Sequence, residues 1–266
     1  MKFNLKSLVV AAAFVAAGGA NAASLTLNEG GSVTDQGWTV SGLVGSGTLT
    51  FSETLMGALT LGSTDVIEVK PASVTIEGNK VDGYTKIEAS APVRSLSGTF
   101  DGTTVSIQSV ATEGGAKQVL TAGASDASTG GFVSITNLRV DLVNMDVYAT
   151  LIGDNGVGTV NDLKLWRITT ITGDTSFAAV EGVTTSVNTL SGLKIYDEAF
   201  NLFAQAAGLT ELGFGALQGV NDDPLGYGSI KSSISVTATA VPEPSTYALM
   251  GLGLVGIGMV ARRRAA

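Results

Sequence analysis

The sequence has no cysteine and no histidine in 266 residues. Without them there is no Ser-His-Asp triad and no Cys nucleophile. Zinc sites of the Cys/His type, type-1 copper sites and Cys-ligated iron–sulfur clusters are excluded too. No disulfide can form, so an exported form of this chain must rest on its core and its backbone hydrogen-bond ladders. Tryptophan is scarce, with only Trp38 and Trp166. A glycosidase needs two carboxyls flanking a sugar site usually lined with aromatics. Carboxylate chemistry stays open because acids are plentiful, but no motif pairs two of them. The reading is a non-enzyme with no cofactor and no metal site.

Basic charge is scarce as well. Residues 23–240 hold 10 Lys/Arg against 22 Asp/Glu, a net charge of −12. Nucleic-acid phosphates need a basic footprint, so nucleic acid is not expected as a partner. Docking of this region on anionic lipid is disfavoured for the same reason. The acids are scattered, as on a solvated surface that keeps an exported protein soluble.

Gly, Ser, Thr, Val, Ala and Leu dominate what remains. Short segments alternate apolar and polar residues between Gly/Asn/Asp clusters, a strand-and-turn pattern. From Asn137 to Leu142 the apolar residues fall on even numbers; from Val147 to Leu151 they fall on odd numbers. A phase change across Val143-Asn144-Met145-Asp146 predicts a hairpin. Ile230, Ile234 and Val236 point one way and Lys231, Ser233, Ser235 and Thr237 the other, which predicts a half-buried strand. One segment breaks the rhythm. YDEAFNLFAQAAG, Tyr196 to Gly208, sets Phe200, Phe203, Ala204 and Ala207 at helical spacing, with Asp197 as a cap and Gly208 as the terminating residue. Its Phe residues read as core anchors. GASDASTGG, 123–131, either divides 23–122 from 131–237 or is a long loop in one sandwich. The expected fold is mainly β: an antiparallel β-sandwich-like body over 23–237 with one amphipathic helix.

The candidate binding motifs in this body are weak. Asp154-Asn155-Gly156-Val157-Gly158 starts like a calcium loop, but glycines stand at ligand positions 3 and 5, so a glycine-rich turn is expected. Asn221-Asp222-Asp223-Pro224 reads as an Asx and proline turn. Gly42 to Gly47 has glycines near a phosphate-loop spacing without the following Lys, and reads as a loop between strands. Trp166 reads as a buried anchor, the alternative being an exposed carbohydrate platform.

The two ends differ from the body. Lys2 and Lys6, the apolar run Leu8 to Ala17 and then Ala20-Asn21-Ala22 have the charge, core and A-x-A layout of a secretory signal peptide over 1–22. Ala20 and Ala22 stand where signal peptidase reads, after delivery to the secretion translocon. At 241–266 the order is Val241-Pro242-Glu243-Pro244-Ser245, an uncharged stretch of 14 residues from Ala248 to Ala261, and Arg262, Arg263 and Arg264. The prolines keep the chain extended and accessible. The apolar run is short for a spanning helix, which needs about 20 residues, and snorkelling arginines lengthen it and hold the tail on the cytoplasmic side.

This three-part tail resembles the PEP-CTERM sorting signal of exported bacterial proteins. The resemblance implies a Gram-negative source, a single transmembrane sorting helix, and recognition by an exosortase with cleavage near Pro242, Glu243 and Pro244. It implies transient anchoring in the inner membrane, then release to the cell surface or to an extracellular, exopolysaccharide-rich biofilm matrix. The body segments GGFVSITNLRVDLVNMDVYATLIG, SGLKIYDEAFNLFAQAAG and DDPLGYG resemble, in order, those of HtaA-like surface domains. Tyr148 and Tyr196 are possible phenolate ligands in that light, with no His to support them. The expected function is a non-enzymatic surface or matrix component; the alternative is a surface module binding haem, calcium or carbohydrate.

Overall fold

The computed structural model describes residues 22–241, 249–255 and 257. Strands β1 (Ala23–Asn28), β2 (Ser32–Asp35) and β3 (Trp38–Phe51) lead into helix α1 (Glu53–Leu61). Then come β4 (Thr64–Val69), β5 (Ser73–Asn79), the long β6 (Gly83–Phe100), β7 (Thr104–Thr112) and β8 (Gly115–Leu120). After them run β9 (Gly131–Asp141), β10 (Asp146–Gly153), β11 (Gly158–Arg167), β12 (Thr170–Gly173), β13 (Ser176–Ala178), β14 (Gly182–Ser191) and β15 (Lys194–Ile195). Helices α2 (Asp197–Ala206) and α3 (Glu211–Asp222) precede the final strand, β16 (Gly228–Ala240). The fold is mainly β and its ladders are antiparallel, as the alternation predicts.

Strand β6 organises the molecule. Up to Pro92 it pairs with β3 and β5; from Val93 onward it pairs with β7, and from Ser95 with β1. Proline has no ladder donor, and the register slips between Val93 and Ser95. One strand therefore serves two sheets. The first runs β12-β14-β16-β3-β6 and the second runs β6-β7-β9-β10-β11-β15. Their apolar faces share one core. Leu49, Phe51, Leu190 and Ile230 of the first sheet and Val133, Val147, Leu151, Leu165 and Trp166 of the second belong to it, with Leu55, Phe203 and Leu217 of the three helices. Tyr227 stands inside it. Its ring meets Trp166 at 4.8 Å, Phe51 at 5.6 Å and Phe203 at 6.1 Å between centroids, and its hydroxyl accepts from the Gln118 side-chain amide. A second core, with Leu25, Leu27, Leu43, Phe100, Phe177 and Ile234, lies where β1 begins and β16 ends.

The expected hairpin is β9–β10, and the half-buried strand is β16, with Ile230, Ile234 and Val236 inside. The expected helix is α2. Phe200 and Phe203 are buried as anchors, and Gly208 adopts φ +58° just after the end. The cap differs: Tyr196 takes that position without a side-chain bond, and Asp197 and Glu198 occupy the first turn, where the helix dipole favours them. Residues 121–130 close a hairpin, since β8 and β9 pair from Gly115↔Thr136 to Leu120↔Gly131. Asp154 to Gly158 forms the expected turn, with Asn155 at φ +54° and Gly156 at φ +84°.

Three expectations are corrected. Three helices, not one, stand among residues 22–241. α1 is capped by Ser52, whose hydroxyl accepts from Leu55 N–H at 3.2 Å, and α3 by Thr210. α3 contains Gly213, Gly215 and Gly219, each about 1 kcal/mol less favourable than Ala in a helix interior. Gly213 is required, because a Cβ there would stand 2.1 Å from the Ala127 carbonyl oxygen. Gly42 to Gly47 is not a loop but part of β3, where a Cβ on Gly45 would meet the Ser233 carbonyl oxygen at 2.4 Å. Asn221 and Asp222 end α3, so the Asx turn starts at Asp223, whose carboxylate accepts from Leu225 N–H at 2.8 Å.

Candidate functional site

The site that the sequence marks most clearly begins where the last strand stops. β16 is paired with β14 on one side and β3 on the other, up to Ala240 opposite Trp38. Val241 N–H then donates to the Gly37 carbonyl at 2.8 Å. Pro242, Glu243 and Pro244 follow and lie outside the described residues, as do Arg262, Arg263, Arg264 and Ala20. Ala22 is exposed, and β1 starts at the next residue. Both ends of the body meet at one place. Ala23 stands opposite Phe100, the Phe100 carbonyl accepts from the Gln36 side-chain amide at 3.1 Å, and Gln36 adjoins the Gly37 that holds Val241.

Residues 249–255 and 257 are helical. Leu249, Met250, Leu252, Leu254, Val255 and Ile257 are all exposed, and at 100° per residue they surround the axis. A helix apolar on every side has no water-facing surface of its own. Among the described residues, no helix is long and apolar enough to cross a membrane.

Residues 240–264 match the PEP-CTERM protein-sorting motif. The match begins at Ala240, the final residue of β16, and so coincides with the end of the folded body. The motif marks an exported protein that an exosortase processes and that is sorted to the cell surface. No curated protein and no solved structure significantly matches the chain. The HtaA resemblance thus rests on segment order alone.

Among the described residues, no group of three or more acidic side chains is gathered so as to hold a metal ion. Trp166 is wholly buried, as expected of an anchor and not of a carbohydrate platform. One charged cluster was not evident from the sequence. Asp146, whose side chain is nearly buried, takes the Lys164 ammonium at 2.8 Å and the Tyr196 hydroxyl at 2.5 Å, and Lys164 lies 4.5 Å over the Tyr196 ring. Burial and then the Asp146 carboxylate raise the Tyr196 phenol above its ordinary range, so it is held as a donor and not as a phenolate ligand. The hydrogen bond to Asp146 raises Lys164 as well. Tyr148, the other possible ligand, has the Arg139 guanidinium 4.0 Å over its ring. The cluster ties β10, β11 and the start of α2 together, a structural task.

Proposed function

We propose that this chain is a non-catalytic component of the cell surface or extracellular matrix. In this reading, residues 1–22 direct export and are removed by signal peptidase. The apolar stretch Ala248 to Ala261 parks the chain in the inner membrane, and Arg262 to Arg264 stop its transfer. An exosortase then cuts near Pro242, Glu243 and Pro244 and frees an acidic body among the exopolysaccharides of a Gram-negative biofilm. The observation that carries this reading is the motif at 240–264, which begins at the last paired residue of β16. Prolines lack a backbone donor and so cannot extend the ladder, and the body before them keeps its ladder to Ala240. The acidity of residues 23–240 supports a body that stays soluble after release.

Intact-mass measurement of the protein from the native host's medium and washed matrix tests this reading. The expected species starts near Ala23 and lacks everything after about Pro244. A full-length chain found only in the membrane fraction would overturn release, and a chain still carrying residues 1–22 would overturn the signal-peptide reading.

A further inference from the structure

The interior between the two sheets is not filled. A cavity that is partly open to solvent lies there. Leu49 and Val140 give it apolar walls on either sheet, and Ala89 and Ala91 on β6 leave room where larger side chains would close it. None of its lining side chains is charged. Interiors are close-packed with few voids larger than a water molecule, and an empty void forfeits the contacts of its walls.

Two polar atoms among the lining residues lack a partner. Trp166 is wholly buried, and its indole N–H, which can only donate, is unpaired. Asn188, 3 % exposed, stands on the opposite sheet. Its amide nitrogen donates to the Asp174 carbonyl at 3.1 Å. A carbonyl can only accept, which fixes the amide orientation and leaves the Asn188 oxygen as the unpaired atom. The walls are mostly apolar, with the side chains of Thr112, Gln118, Asn188, Tyr227 and Ser232 as a few polar points among them, the pattern of a small-molecule site. A carboxylate or ammonium would find no counter-charge there.

We propose that this inter-sheet cavity, uncharged and mostly apolar, binds a neutral, largely hydrocarbon small molecule. The body is then a carrier as well as a surface component, and this inference does not depend on how the tail is processed.

The test uses the full chain held in an amphipathic polymer, with a Trp38→Phe background that leaves Trp166 as the sole tryptophan. The probes are 1-hexanol, cyclohexanol and benzyl alcohol, against hexanoate and hexylammonium. At least one alcohol is expected to shift Trp166 emission saturably and to raise Tm, with the charged probes at least about tenfold weaker. Ala91→Phe should abolish saturation while the fold, read by circular dichroism, is kept; Ser232→Leu on the same wall replaces it if Ala91→Phe does not fold. A linear response to every alcohol, as from a water-filled space, would overturn the proposal, as would saturation that survives the cavity-filling variant.

Discussion

The body and the tail helix use the same apolar residues and place them oppositely. Leu55, Leu151 and Leu165 are buried, whereas Leu249, Met250, Leu252, Leu254, Val255 and Ile257 are each between 57 % and 69 % exposed. In the body, apolar residues alternate along strands, so each strand can have one wet face and one dry face. In the tail they follow one another around a helix, which leaves no wet face. Hydropathy alone does not separate the two; its period does. A period of two builds a core inside the chain, and an unbroken run calls for an apolar medium outside it.

The sharpest way to break this contrast is a matched pair of substitutions. Trp166→Ala should lower body stability by about 3–5 kcal/mol in denaturant unfolding. Leu254→Ser should leave the body's Tm unchanged and shift the protein out of the membrane fraction. Equal effects of both on Tm would show that the tail helix packs as core. Next in size is Tyr227→Phe, at about 1–3 kcal/mol, because it leaves the buried Gln118 amide without its hydroxyl partner. Gly208→Ala should cost about 1 kcal/mol or more, since φ is +58° and a Cβ would stand 2.4 Å from the Gly130 carbonyl oxygen.

The smallest effect is a pH dependence. Lys164 and Tyr196 both keep their protons to higher pH in the folded chain than in the unfolded one. Their contribution is therefore fully present below their ordinary ranges and is lost as pH rises through the folded values. Stability should fall on the alkaline side, over roughly pH 10 to 12, and Tyr196→Phe should make that fall shallower. An unchanged alkaline slope in this variant would remove the Asp146 cluster from the account.

Local features were legible in the sequence where the period was clean: the β9–β10 hairpin, β16 and α2. α3 was hidden by its glycines, one of which exists only to let Ala127 approach. α1 is nine residues long, too short for periodicity to declare. The pairing of β3 with β16 joins segments nearly two hundred residues apart, and no local pattern encodes it. The cavity was least legible. On β14 the polar Ser186 and Asn188 face inward, while Val183 and Val187 are exposed. Alternation read by hydropathy gives the opposite face. Only the Asp174 carbonyl, which accepts from both Ser186 and Asn188, makes the inversion affordable. The tail was legible for another reason: its order of parts carries the information, and order survives without a fold.

The placement of β16 has a mechanical consequence. It is held on both flanks, by β14 and by β3, from Ser229 to Ala238, and by β3 alone at Thr239 and Ala240. A pull on the chain beyond Val241, from an anchored tail or a processing enzyme, runs along this strand and not across it. The load is shared in shear by two ladders at once, so the bonds must yield together instead of unzipping in sequence. Such a pull would have to break both ladders together before it reached the core.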